Sequence, residues 1–417
     1  MIYSIVFIIL MLWFNLYSTP VPVTSGVEND VIGRMCQFSN GNILAVIERN
    51  PDWNSGDLYS IISTDDGNTW GTLHPAVINS GNQSTFSLIS LPGDTFMLFY
   101  ASNEGGAYKI YRTQSTDGIN WIPQGQINLG WQSGQSVYDP IVIRENDNSL
   151  TMTYIAMGYG AYVAHQPWQG QWDSLKTQVQ ANAYRARICR HADGTYMAAY
   201  HRRTGSTYEY DVFVKTSPDR LNWSGETQLT TNKNSHDPFC GIAPDGAYLV
   251  FYAKYTVAYN LYYRRAYVPT IWETEVPITS DAVNNTEPSF YSMPNYLYLI
   301  WTHAVNYQTD NDIYFEKIFY TCLGVEHPPH ENTSMNSSVT ISQKHQTITI
   351  NFSSSCQGNY PLKIYNISGQ MIFQDNIQAN GTANVTYDLG HLSPNIYFLK
   401  LGTVHDSMAF STIYIVE

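Results

Sequence analysis

The chain has 417 residues, with 21 Lys and Arg against 34 Asp and Glu, a formal net charge of −13 and only 13% charged residues. That is about half the charged share of an average soluble domain, and with no basic stripe to meet a phosphate backbone, nucleic acid is excluded as a partner. The 33 Tyr, 10 Trp and 16 Phe exclude a disordered chain and point to β-structure with apolar interfaces, in two domains at this length.

The first element is an apolar run from Ile5 to Phe14 that leads into Ser18-Thr19-Pro20. It is about half of what a bilayer span needs, so it reads as the core of a signal peptide over residues 1–20; no later stretch is long and apolar enough for a membrane span. Cys36, Cys189, Cys240, Cys322 and Cys356 form no Cys-x-x-Cys pair, so neither a zinc nor a redox site is expected. The acidic turns Glu145-Asn146-Asp147 and Asp310-Asn311-Asp312 lack the alternation of an EF-hand loop, and no metal or cofactor is expected.

From residue 25 onward a period organises the sequence. Trp70, Trp121, Trp172, Trp223 and Trp272 are separated by 51, 51, 51 and 49 residues. Three of them close a recurring string: Ser63-Thr64-Asp65-Asp66-Gly67-Asn68-Thr69-Trp70, Ser115-Thr116-Asp117-Gly118-Ile119-Asn120-Trp121 and Ser217-Pro218-Asp219-Arg220-Leu221-Asn222-Trp223. Such a string makes a tight hairpin turn whose Trp packs between neighbouring sheets. Upstream of each turn come a short apolar strand, a turn such as Asn40-Gly41, Asp193-Gly194 or Asp245-Gly246, and a second strand. Six such units begin near Ile32, Ser84, Asp139, Arg185, Asp237 and Glu287. Roughly 48 residues per unit is the size of a four-stranded propeller blade. The prediction is an all-β chain: a six-bladed β-propeller over 25–322, a linker over 323–338, and a small β-sandwich of seven short strands over 339–417.

In a propeller, side chains at the starts of the innermost strands converge on one rim of the central channel. Three of those starts are acids followed by proline, Asp139-Pro140, Asp237-Pro238 and Glu287-Pro288, and Arg34-Met35-Cys36 parallels Arg187-Ile188-Cys189 two residues deeper. An arginine fork binds the carboxylate of an acidic sugar bidentately, and paired carboxyls supply acid, base or nucleophile for glycosidic cleavage. The catalytic candidates are therefore Asp52, Asp139, Asp237 and Glu287, and the substrate-binding candidates Arg34, Arg185, Arg187 and Arg202.

The three Trp-closed strings resemble the Asp-box of the sialidase superfamily. The resemblance implies a secreted glycoside hydrolase acting on terminal acidic sugars, with Arg34 as the first substrate-binding arginine and Asp52, or nearby Asp57, as acid/base. It also places Arg202 within one residue of the second arginine, with Arg185 and Glu287 standing where the family has its glutamate and its nucleophilic tyrosine. A second resemblance treats Asp139, Asp237 and Glu287 as the base, pKa modulator and acid of five-bladed glycosidases that cleave arabinan, xylan or galactan side chains. Two other functions fit the same plan. One is a non-catalytic carbohydrate-binding or adhesion propeller; the other is a polysaccharide lyase with His201 or His236 as base beside Arg187 and Arg202. In the tail, Leu362 to Gln370 and Leu392 to Lys400 resemble the C-terminal sorting domain of the type IX secretion system of Bacteroidetes. That resemblance implies export across the outer membrane, the secretion machinery as a partner, and a secreted or cell-surface protein meeting a glycan substrate.

Overall fold

A computed structural model describes residues 19–50, 54–206, 208–294, 296–306 and 310–319, and in the tail the strands between 339 and 415 with Leu389 and Leu392. The apolar run of the expected signal peptide, the expected linker and Asp52 lie outside the described residues. The chain divides into two compact units, Met1–Leu323 and Gly324–Glu417.

The first unit is a six-bladed β-propeller built from antiparallel four-stranded sheets. Strand β1 (Val21–Pro22) comes first, and blade one follows as β2 (Asp30–Gln37), β3 (Ile43–Arg49), β4 (Asp57–Ser63) and β5 (His74–Val77). Blade two is β6 (Gln83–Leu91), β7 (Thr95–Ser102), β8 (Lys109–Ser115) and β9 (Ile122–Gln126). Blade three is β10 (Val137–Arg144), β11 (Leu150–Ala156), β12 (Gly160–Gln166) and β13 (Thr177–Ala181). Blade four is β14 (Ala183–Arg190), β15 (Tyr196–Arg203), β16 (Tyr210–Ser217) and β17 (Thr227–Gln228), and blade five is β18 (Ser235–Ile242), β19 (Tyr248–Tyr255), β20 (Tyr259–Ala266) and β21 (Val276–Pro277). Blade six contains β22 (Asn284–Ser292), β23 (Tyr296–Asn306) and β24 (Asp310–Phe319), and its fourth strand is β1, with Val21 opposite Phe315. The ring is thus closed by a two-residue strand from the start of the propeller, which hydrophobic periodicity cannot show.

Each sheet is covered on both faces, so its second strand is a continuous apolar run; in β3 every residue from Ile43 to Glu48 is buried. The cores lie between blades. Trp70, Trp121, Trp172, Trp223 and Trp272 each pack against one interblade cluster, and the cluster between blades five and six holds Trp301. The 51-residue period therefore measures the repeat of one interface.

In the recurring turns, Ser63, Ser115 and Ser217 donate to Asp65, Asp117 and Asp219 at 2.9, 2.9 and 3.2 Å. The carboxylates in turn accept backbone N–H groups of Thr69, Asn120 and Asn222 at 2.8, 2.7 and 2.8 Å. Those donors hold Asp219 at about 2. Gly118, at φ +73°, lies against blade one, where a Cβ would meet Leu44 at 2.8 Å. The turn is therefore structural. Asp117→Ala is expected to lower stability by about 1–2 kcal/mol, because several donors lose their acceptor. A urea midpoint lower than wild type, at unchanged function, is the result that checks it.

The tail has seven strands: β25 (Val339–Lys344), β26 (Thr347–Phe352), β27 (Gln357–Asn366), β28 (Met371–Asn380), β29 (Ala383–Asp388), β30 (Asn395–Gly402) and β31 (Ser407–Ile415). They form a three-stranded sheet in the order β25-β26-β29 and a four-stranded sheet in the order β28-β27-β30-β31. Ile348, Ile350, Leu362 and Ile364 are buried at alternate positions, as the pleat requires.

Candidate active site

Every innermost strand of the propeller is interrupted at the same place. The pairing of β2, β6, β10, β14, β18 and β22 with the second strand of its blade shifts register at Ile32, Thr85, Asp139, Arg185, Asp237 and Glu287. All six residues have positive φ, from 38° at Thr85 to 57° at Asp139, and none is a glycine. That conformation is strained for an L-residue, most of all for the β-branched Ile32 and Thr85. A bulge of this kind re-aims a side chain out of the pleat.

Four of the six bulge amides are held from the neighbouring blade. Ile32 N–H donates to Thr302 Oγ1 at 3.1 Å, Thr85 N–H to Glu48 Oε2 at 3.0 Å, Asp139 N–H to Thr85 Oγ1 at 3.1 Å and Asp237 N–H to His201 Nδ1 at 3.0 Å. Because His201 accepts at Nδ1, its ring proton sits on Nε2, and burial pushes its pKa down to about 3, keeping the ring neutral.

Arg185 of blade four reaches carboxylates of three other blades, so these side chains converge on the channel axis. Its Nη1 lies 3.4 Å from Asp139, its Nε 3.6 Å from Asp237, and its Nη2 is paired with Glu287. One tier deeper, Arg187 donates to Asp139 at 2.8 Å and lies 4.0 Å from Glu287, while Arg34 rests between Phe86 and Phe239 and donates to the Gly33 carbonyl at 2.8 Å. Three arginines thus balance Asp139, Asp237 and Glu287. Their environments differ. Burial would raise Asp139, but Arg187 and Arg185 overcome it and hold that carboxyl below the ordinary range. Asp237 is half-buried; desolvation would raise it, but its pair with His236 at 2.6 Å keeps it low while raising the imidazole. For Glu287 burial wins over Arg185, with Asp237 adding repulsion, and its carboxyl is raised.

A cavity of about 410 Å³ opens beside this cluster, lined by Ser84, Thr85, Tyr108, Tyr138, Asp139, Met157, Tyr184, Arg185 and His201. Tyrosine faces and a few convergent polar groups are the makings of a sugar site. Asp139 and Arg185 line it directly, and Asp237 and Glu287 are reached through the guanidinium of Arg185.

The structure gathers six of the sequence-derived candidates, Arg34, Asp139, Arg185, Arg187, Asp237 and Glu287. Arg202 is not among them. On β15 His201 faces the mouth, so by strand alternation Arg202 faces away, where it lies 4.1 Å over the Phe213 ring and pairs with Glu226 at 2.9 Å. Asp57 opens β4, the third strand of its blade, beside Gln83, and makes no contact with the cluster. In blade two the bulge is Thr85 and not Ser84, because only residues 92–94 link β6 to β7, whereas five residues link the pairs in blades one and four. Counting back nine from Gly93 therefore overshoots by one. Sequence reasoning missed Glu48; its signal was a charge following directly on the apolar run Ile43 to Ile47 of β3 and buried with it. Among the described residues no group of three His, Cys, Asp or Glu is arranged to hold a metal ion.

The fold of the first unit is a six-bladed propeller, an architecture also found in sialidases and arabinan-cleaving enzymes, and the chain carries a sorting tail. Residues 343–415 match the secretion system C-terminal sorting domain. No curated protein matches the chain. Among solved structures, the NanB sialidase of Streptococcus pneumoniae aligns with a TM-score of 0.59 at 10% identity, covering 73% of this chain and 71% of that one. An α-L-arabinanase of Penicillium chrysogenum complexed with arabinobiose aligns at 0.53 and 18% identity, covering 72% and 98%. The α-L-arabinofuranosidase of Fusarium graminearum with arabinobiose aligns at 0.54 and 15% identity, covering 72% and 97%. Since these two enzymes superpose over nearly their whole length, blade count does not separate the sialidase-like plan from the arabinan-cleaving one.

Proposed function

We propose that the chain is an exported glycoside hydrolase that removes a neutral terminal sugar at the mouth of its propeller. The observation that carries this reading is the convergence of carboxyls in unequal environments, Asp139 held ionised by two arginines and Glu287 pushed toward its protonated form by burial. Neighbouring carboxyls with separated pKa values are what acid–base cleavage of a glycosidic bond requires. Glu287 gives its proton to the glycosidic oxygen as the bond from that oxygen to the anomeric carbon breaks, Asp139 takes a proton from the water that bonds to that carbon, and Asp237, kept ionised by His236, tunes both through Arg185.

A neutral sugar fits better than an acidic one. Arg187 is 1% and Arg34 4% exposed, and Arg185 is already engaged by three carboxylates, so no fork is left to grip a substrate carboxylate. The arginines act as counter-charges. The arabinan-cleaving structures of the same fold support an arabinofuranosyl substrate, and the tail supports export through the type IX machinery to the cell surface or the medium, where polymeric glycans are met.

A panel of aryl glycosides tests this. Hydrolysis of an arabinofuranosyl or another neutral reporter should exceed that of sialyl and uronyl reporters by at least about 100-fold in kcat/KM, the scale set by a carboxylate left without its partner. Preference for the sialyl reporter would restore acidic sugars as substrate. Retention on a glycan array with no hydrolysis of any reporter would make the propeller a binding module.

A further inference from the structure

Glu48 lies on β3 of blade one, outside the three-acid cluster, with both oxygens engaged. Oε1 accepts from Asn50 Nδ2 and Oε2 from the Thr85 amide, each at 3.0 Å. The Thr85 hydroxyl then accepts the Asp139 amide at 3.1 Å. One carboxyl therefore anchors two successive bulges, one of them a β-branched residue at φ 38° that its own backbone preference would not hold. We propose that Glu48 is a positioning residue that sets Asp139 in place through Thr85, and that Asn50 is its proton-state partner. The proposal rests on the glycosidase reading for its catalytic meaning, though the linkage itself stands on these contacts.

Asn50 suits that role. It is buried, and its Oδ1 is a buried acceptor with no hydrogen-bond partner among the described residues. When Glu48 is ionised, Asn50 donates its amide N–H. When Glu48 is protonated, a half-turn of the Asn50 amide brings Oδ1 to accept the new O–H, so the carboxyl keeps Asn50 as a partner in both states. Burial pushes Glu48 up to about 7, Arg185 of β14 pulling it down and Glu287 of β22 pushing it up from across the channel. Its proton thus exchanges in the neutral range, and the Thr85 amide always has an acceptor.

Four variants test this: Glu48→Ala, Glu48→Gln, Thr85→Val and the double Glu48→Ala/Thr85→Val. Glu48→Ala should lower kcat about 10- to 100-fold with KM within about threefold, the effect of misplacing a catalytic group by a fraction of an ångström. Glu48→Gln, which keeps an acceptor for the Thr85 amide, should recover most of that loss. Thr85→Val should match Glu48→Ala, and the double variant should be no worse than either single. Multiplying losses, or a Glu48→Gln as damaged as Glu48→Ala, would overturn the proposal. Carboxyl-carbon NMR titration tests it without substrate. The Asp139 signal should shift as Glu48 titrates in wild type and should not in Thr85→Val; an Asp139 signal indifferent to Glu48 in wild type overturns the linkage even if hydrolysis is found, and the coupling stands even if no glycoside is cleaved.

Discussion

Arg187→Ala is expected to destabilise the propeller by about 3–5 kcal/mol, enough to unfold a marginal domain near physiological temperature. The side chain is almost wholly buried and is the shortest partner of Asp139, at 2.8 Å. Its removal leaves the buried Asp139 carboxylate with the longer contact to Arg185, at 3.4 Å, as its remaining ion pair. Chemical denaturation of Arg187→Ala beside a paired variant, Arg187→Met with Asp139→Leu, separates the causes. The pair removes one charge of each sign, so it should recover most of the stability while remaining inactive. A loss below about 1 kcal/mol in the single variant would mean that the deeper arginine tier does not balance the acids.

The second large effect is catalytic. Glu287→Gln should lower kcat on the responsive glycoside by about 10²- to 10⁴-fold, the range for loss of a positioned general acid. The loss should shrink for a reporter whose leaving group is acidic enough to depart unprotonated. Because the Glu287 pKa is raised, its acid form persists to higher pH than that of an ordinary carboxyl, and wild-type activity should fall as pH rises through it. Because the Asp139 pKa is lowered, its basic form survives into acid, and activity should fall there only below the usual carboxylate range. Glu287→Gln should therefore lose the alkaline limb and keep the acid one. Persistence of the alkaline limb would move the acid role elsewhere, with Glu48 the next carboxyl to examine.

Most of the fold was legible in the sequence because one interface repeats: the tryptophans at 51-residue intervals mark successive interblade cores. The convergence of Asp139, Asp237 and Glu287 was legible for the same reason, since equal spacing from a blade turn places residues on one rim. What escaped depends on contacts that spacing does not encode. Arg34 and Arg187 were expected as grips for a substrate, and what spacing does not encode is that both are buried, Arg187 on Asp139 and Arg34 on the Gly33 carbonyl. Arg202 was misread by one position, which in a strand means the opposite face. Glu48 drew no notice because its importance lies in accepting an amide from another blade. The strand Val21–Pro22 is too short to carry a pattern at all.

The six left-handed bulges have a consequence for how such a protein changes over generations. Each blade fixes its own backbone through ladder pairing and interblade packing, and then presents one side chain whose identity the fold does not dictate. Here those six positions hold isoleucine, threonine, aspartate, arginine, aspartate and glutamate. Five of them line the cavity or join the charged cluster beside it, whereas Ile32 is packed in an interblade core. The scaffold resembles a combination lock whose wheels are geared together: Thr85 holds the Asp139 amide and Arg185 meets three carboxylates, so turning one wheel moves its neighbours.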